Sequence, residues 1–410
     1  MFVWFRFLFF NLSIQIHLLT MTSRLNPRIP FYILLFLSVS YVLSIFLLQL
    51  FCGVLVILWL LEKNSEKRKA IDSFIIAVLV YGFARLISVI LSEYPGVSIH
   101  TLYKEALFYL SVFSIGFYLK SFDHKRIRII IYVFIGGAVL NSLIGLIRFN
   151  FGIVERAESL STGYTAFSGY LAAVLGIAIS AFGFNEIRKK YSYLNIIAVG
   201  IILAGILTSL GRANIVISAL VLLISLIIKK INPKQFVFIA LISAAVSYLS
   251  FSNNTSGFTQ RMETPAQLSD RDIIYKGTIE LVWEHPLFGY GPRTFKKIFP
   301  FKEEFADKGI GGWHNQILQV YFESGFIGLA AYLILLFVVF KSGYKFLKSK
   351  AEEENKLIVV GVILSVTALF LSAFFSGFID SPILSIEFSF LCSLMTSEIY
   401  KNNRRTSFIT

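Results

Sequence analysis

The feature that most constrains this chain is a series of apolar stretches repeated from Pro30 to Tyr400. Each is about 17–25 residues long, enough to cross roughly 30 Å of hydrocarbon as a helix. The runs are continuously apolar and do not alternate, so spanning helices are expected rather than the strands of a barrel. Composition agrees: 56% of residues are hydrophobic and 15% charged, with mean hydropathy +0.73. An average soluble domain carries about 25% charged residues. The expected fold class is therefore all-α, a polytopic integral membrane protein surrounded by membrane lipids. Cys52 and Cys392 both fall inside apolar runs, which leaves neither a disulfide framework nor a zinc-type cysteine cluster.

The apolar block Pro30 to Leu61 is too long for one span and divides near Ser44. Further runs cover 72–92, 101–119, 127–149, 164–184, 193–209, 213–228, 235–251, 315–340, 357–378 and 382–400, giving about twelve transmembrane helices in all. Residues 1–29 carry Arg6 within an apolar run and lack a small-residue cleavage site. They read as a lead-in rather than a secretory signal, and Met21 is an alternative start. Transmembrane helices one to nine then occupy 30–251, a large outward loop 252–313, three more helices 314–400, and a tail 401–410.

Basic residues alternate between loops. Lys63, Lys67, Arg68 and Lys69 fall in one, Lys120, Lys125, Arg126 and Arg128 in the next but one, then Arg188, Lys189 and Lys190, "KKINPK", "KSGYKFLKSK" and the tail "KNNRR". The intervening loops "SEYPGVS", "NFGIVERAESLSTG", "SLGRA" and "FIDSP" hold only Arg156 and Arg212. The positive-inside rule then puts both termini in the cytoplasm. Most of the +14 net charge is accounted for by topology, and no nucleic-acid partner is expected. Loop 252–313 carries eight Lys/Arg and eight Asp/Glu, and loops of that length are exempt from the charge rule. Such loops are uncommon unless functional. The piece "DRDIIYKGTIELVWEHP", stopped by Pro286, reads as a helix in a small cap.

Ionisable residues within spans are costly and mark function more often than they decorate a lipid-facing surface. Given this orientation, Arg85, Lys104, Glu105, Arg148, Glu323, Asp380 and Glu387 all fall in the outer halves of their spans, with almost nothing equivalent in the inner halves. Facing one another, they would line a polar chamber open to the outer leaflet. Snorkelling to headgroups is the competing explanation for Arg148, Lys104 and Arg212.

A histidine and an asparagine, His314 and Asn315, stand where the polar loop ends and an apolar run begins. The preceding "GIGG" allows a sharp reversal, because glycine accepts positive φ. The positive end of the helix disfavours imidazolium there. A neutral imidazole can accept a proton from a sugar hydroxyl; an interfacial anchor is the alternative. Glu323, Gly325 and Gly328 follow, the glycines suggesting close helix packing. Arg212 and Arg271 occupy outward positions, and arginine's planar fork suits phosphate oxygens. "DRD" at Asp270 and Asp272 is a poor metal site. Trp283, Tyr290 and Trp313 could stack on sugars or anchor the cap.

"HNQILQVYFESGFIG", carrying His314, Asn315, Gly325 and Gly328, resembles a motif of the O-antigen ligase and polymerase superfamily of bacterial envelope enzymes. "WEHPLFGYGPRTF" is similar to that family's preceding turn through His285, Pro286, Gly289 and Gly291. "TSLGRANIV" and "SDRDIIYKGTIELVWEHP" match segments holding family arginines, at Arg212 and Arg271. The resemblance covers roughly 190–340. It implies a GT-C-like fold and a helical periplasmic loop domain. The implied reaction is a metal-independent, inverting transfer of a glycan from undecaprenyl diphosphate to an acceptor sugar hydroxyl at the periplasmic face of the bacterial inner membrane. It also implies His314 as general base or acceptor orienter, Arg212 and Arg271 as the diphosphate grip, and no cofactor; Arg85 and Arg148, from the expected polar chamber, are the supporting candidates. A ligase would take lipid A-core as acceptor, in lipopolysaccharide biosynthesis. A polysaccharide polymerase would take another carrier-linked glycan. A transporter or flippase, or an envelope scaffold, would share the span number but need no outward Arg/His set.

Overall fold

In a computed structural model, the structure describes residues 26–184, 192–253, 271–305 and 312–407. The lead-in with Arg6 and Met21, the basic run Arg188–Lys190, Asp270 and the first three residues of "GIGG" lie outside them. Among the described residues every regular element is helical.

The helices are α1 (Arg28–Leu43), α2 (Ile45–Leu61), α3 (Asn64–Lys69), α4 (Ser73–Ile90), α5 (Pro95–Ser121), α6 (His124–Asn150), α7 (Tyr164–Ser180), α8 (Ser192–Thr208), α9 (Arg212–Ile227), α10 (Pro233–Asn253), α11 (Arg271–Leu281), α12 (Phe295–Ile298), α13 (Gln316–Leu347), α14 (Glu353–Ala373) and α15 (Pro382–Ser407). Among the described residues seven, α4, α6, α7, α10, α13, α14 and α15, are long and apolar enough to cross a bilayer. Four shorter apolar helices, α1, α2, α8 and α9, accompany them. The chain is a polytopic all-α membrane protein. Helix α5 is 27 residues long but carries Lys104, Glu105 and Lys120.

Local chemistry sets several helix starts. Ser44 is extended, with φ −167°, and ends α1; its Oγ then accepts from the Phe46 amide at 3.1 Å and opens α2. This is the division expected in the long first apolar block. Asp72 and Asp123 cap α4 and α6 in the same way, at 2.9 and 2.8 Å. A capping side chain satisfies an amide that the helix itself leaves unpaired.

Helices α7 and α15 are the most enclosed. Helix α15 packs on α5 and α14, and α7 packs on α14 and α8. Backbones approach closely at the α7–α14 contact: a Cβ on Gly176 would lie 2.5 Å from the Ser365 amide nitrogen. Small residues at such seams are how spanning helices associate when lipid removes the hydrophobic drive. At the face carrying loops 62–72 and 348–352, Lys120 pairs with Asp72 at 2.5 Å and Arg128 with Glu354 at 2.7 Å. There too Glu398, fully buried, meets His124 at 3.2 Å and Lys401 at 3.3 Å. Buried charge is therefore not confined to one half of the spans, contrary to the sequence expectation; Glu398 escaped because it falls close to a basic tail.

On the other face, α11, α12 and the turn 282–294 form a small cap. Its apolar cluster joins Ile274, Leu281, Tyr290, Phe295, Phe299 and Trp313 to Phe322 of α13. Trp313 stacks on Phe322 with centroids 4.0 Å apart. Trp313 and Tyr290 are buried, so both anchor the cap and neither offers a face to a sugar.

Candidate functional site

Asn315 closes the cap and opens α13. Its Oδ1 accepts from the Ile317 and Leu318 amides at 2.9 and 3.2 Å. The reversal before it is made by His314 itself, at φ 47°. Gly312 has no positive φ, so the glycine run does not supply the turn at that position. A left-handed backbone costs a non-glycine residue roughly 1–2 kcal/mol, and such strain clusters at functional sites.

The His314 residue is open to solvent on one side. Enough chain surrounds the ring that desolvation, and then the charge of Arg271, hold its pKa below the ordinary value. The causes differ from the helix-end field expected from sequence, but their direction is the same. Arg271 is the first residue of α11; its Nη2 donates to the Phe375 carbonyl at 2.9 Å and its guanidinium lies 5.4 Å from the Phe375 ring. Protein thus holds Arg271 at the junction of α14 and α15, within electrostatic reach of His314.

The same junction receives the other elements. Gln316 Oε1 accepts from the Phe378 and Ile379 amides at 2.8 and 3.2 Å. Asn214, two residues beyond Arg212, accepts from Ser372 Oγ and donates to Ser168 Oγ, both at 2.8 Å. Arg212 opens α9 with an exposed side chain. The starts of α9, α11 and α13 therefore all border residues 372–379. Sequence reasoning treated "FIDSP" as a short loop, because nothing local distinguishes a strip whose backbone serves two other elements and whose Ser372 side chain serves a third.

A second cluster lies beneath. Arg85 donates to Glu105 and, at 2.6 Å, to Glu323, and lies 3.8 Å from Asp380. Gln319 donates to Asp380 and Glu323, and the Arg293 amide donates to Glu323 at 2.9 Å. Arg85, Glu105 and Glu323 do face one another as expected, but as an enclosed ion cluster rather than the wall of an open chamber: each is at most 3% exposed. Asp380 keeps 18% of its side chain accessible.

Helix α13 breaks at Gly325, with φ 61° and ψ −164°, a region that only glycine adopts readily. The turn 286–291 fills the break. Phe326 donates to the Pro286 carbonyl at 2.7 Å, Tyr290 to that of Phe322 at 2.8 Å, and Gly291 to that of Glu323 at 3.2 Å. Gly289 has φ 68°, and a Cβ there would lie 2.5 Å from the Ser324 nitrogen. Gly325 is thus a backbone break, not a packing glycine, and Gly328 relieves crowding against Ser324 in the same bend.

Other expected residues lie apart. Arg148 donates to the Ser159 carbonyl and pairs with Glu158 at 3.4 Å, which ties down the loop after α6. Lys104 is exposed. Glu387 is buried beside Tyr41 and Tyr170.

Residues 164–333 match the sequence model of a family described as O-antigen ligase. Over these residues the chain is similar to the O-antigen ligase family. The match starts at α7 and ends within α13, so it takes in Arg212, Arg271, His314 and the turn docked at Gly325. No curated protein matches the chain. That similarity supports a glycosyltransferase-like function of the O-antigen ligase or polymerase type, with lipid-linked glycans as the general substrate class. The strip 372–379, which borders the starts of α9, α11 and α13, lies beyond the matched region.

Proposed function

We propose that this chain is a ligase that transfers a glycan from undecaprenyl diphosphate to a sugar hydroxyl of lipid A-core, at the periplasmic face of the bacterial inner membrane. The observation that carries this reading is the pairing of a neutral-biased His314 with Arg271 where the cap meets α13. His314 accepts the proton of the acceptor hydroxyl as that oxygen attacks the anomeric carbon. The bond from that carbon to the diphosphate oxygen breaks with inversion, and the electron pair leaves on undecaprenyl diphosphate. Arg271, and Arg212 from the start of α9, hold the negative charge that develops there. Arginine suits this task because its charge is permanent and its donors are planar. A base of this kind typically contributes 10²–10⁴-fold to rate.

The test uses purified protein with a carrier-linked oligosaccharide, with and without lipid A-core. Glycosylated core, lost in His314→Ala, supports the reading. Long chains built on the carrier without core would instead make the protein a polymerase. Movement of the carrier-linked glycan across sealed vesicles without bond formation would make it a flippase.

A further inference from the structure

Helix α11 divides its surface in three. Ile274, Gly277 and Leu281 face the protein. Lys276 and Glu280 form an exposed charged flank. Along the other flank Tyr275 and Ile279, four residues apart, are 46% and 75% exposed, and in the turn that follows the helix Trp283 and Leu287 are 75% and 58% exposed. Single exposed apolar residues are ordinary; four large ones within thirteen residues, two on the helix and two on the turn after it, are not.

The height of this patch follows from α13. Leu287 lies against Gly325 and its carbonyl accepts from the Ile327 amide at 3.3 Å. Phe326 and Ile327 are themselves 48% and 40% exposed. Beyond its break at Gly325, helix α13 runs from Phe326 to Leu347, about 33 Å at 1.5 Å per residue, against roughly 30 Å of hydrocarbon. Its first charged residue after Glu323 is Lys341, which belongs at the far interface. Counting back about 20 residues puts the near edge of the hydrocarbon close to Tyr321, about one to two helical turns before Phe326. Leu287 and Phe326 therefore lie just inside the edge where hydrocarbon gives way to headgroups, and the patch is continuous with a lipid-facing surface.

We propose that Tyr275, Ile279, Trp283 and Leu287 rest in the interfacial layer of the bilayer on the cap side, with Lys276 and Glu280 turned to water. The partner is a lipid surface. An amphipathic helix lies in the interface in this way, and tryptophan and tyrosine favour that layer because their rings are apolar with one polar edge. The contact holds the His314 end of α13 close to headgroup depth, where the phosphates of a membrane-anchored donor lie. That consequence rests on the proposed function; the lipid contact does not.

The test places single nitroxide-labelled cysteines at 275, 276, 279, 280 and 283 of the full chain, with Cys52 and Cys392 replaced by alanine. The protein is reconstituted in phosphatidylethanolamine–phosphatidylglycerol vesicles. Collision with oxygen should dominate at 275, 279 and 283, and collision with a water-soluble nickel chelate at 276 and 280. Nickel access at 279 and 283 equal to that at 280 overturns the proposal. So does shielding of 279 and 283 from both reagents, which would mean that a protein, including a second copy, covers the patch. On the unsubstituted chain, a phospholipid with an acyl-chain diazirine should label the peptide containing 275–287. Absence of label there also overturns it.

Discussion

His314 combines three properties that rarely coincide: a left-handed backbone, partial solvent access and a cation as its electrostatic neighbour. Glycine accepts that backbone, so His314→Gly separates fold from chemistry. Its thermal midpoint in detergent should equal or slightly exceed that of the native chain, while glycan transfer falls by about 10²-fold or more. The lowered pKa fixes a pH profile as well. Neutral imidazole persists to below the usual ~6.5, so transfer should hold through neutral pH and fall only as pH drops past that lowered value. Arg271→Gln removes one of the two causes, and the acid limb of its residual activity should move to higher pH. An unmoved limb would mean that another group governs it. Arg85 makes the opposite case. Arg85→Met strands buried carboxylates, and breaking such a pair costs about 3–5 kcal/mol. It should appear as a lowered melting temperature or failed accumulation, not as a selective kinetic defect.

At the scale of elements, the interruption in α13 is what lets the cap grip a spanning helix. Four amides, those of Phe326 and Ile327 after Gly325 and those of Tyr290 and Gly291 in the docked turn, find carbonyl partners across the junction, so the polar groups exposed by the break are not stranded at membrane depth, as they must not be. Gly325→Ala meets a left-handed penalty of about 1–2 kcal/mol and an overlap with the Leu287 backbone, for which overpacking costs about 1–3 kcal/mol more. Loss of thermal stability, with faster proteolysis within the cap, is the expected outcome. Gly312→Ala, with nothing within 4 Å of its new Cβ, is the matched control and should melt like the native protein.

For the whole molecule, the alternation of basic loops makes a directional statement that a labelling experiment reads directly. Cysteine at Ser65 should react with a membrane-impermeant maleimide only after cells are opened. Cysteine at Lys296, exposed on the cap, should react in intact spheroplasts. Both native cysteines are buried, so background is low. Reaction of both sites from outside, or the reverse pattern, would invert the topology and remove the site from the periplasm.

Sequence alone determined the helical class, the division at Ser44 and the start of α13 at Asn315, and it is the source of the proposed His314, Arg212 and Arg271 set, because each rests on local chemistry: hydropathy over one span, one capping side chain, one motif. The glycines at 289, 291 and 325 were legible as important, but their purpose was not, since a backbone break and the turn that fills it lie more than thirty residues apart. The closed state of the Arg85 cluster, the binding of Arg148 to its own loop, and the use of residues 372–379 as a common support were decided only by tertiary structure. Each depends on which helix faces which, and in a bilayer every span presents much the same apolar sequence to lipid and to protein. Polar contacts between distant segments choose between those faces, and no single segment records both partners.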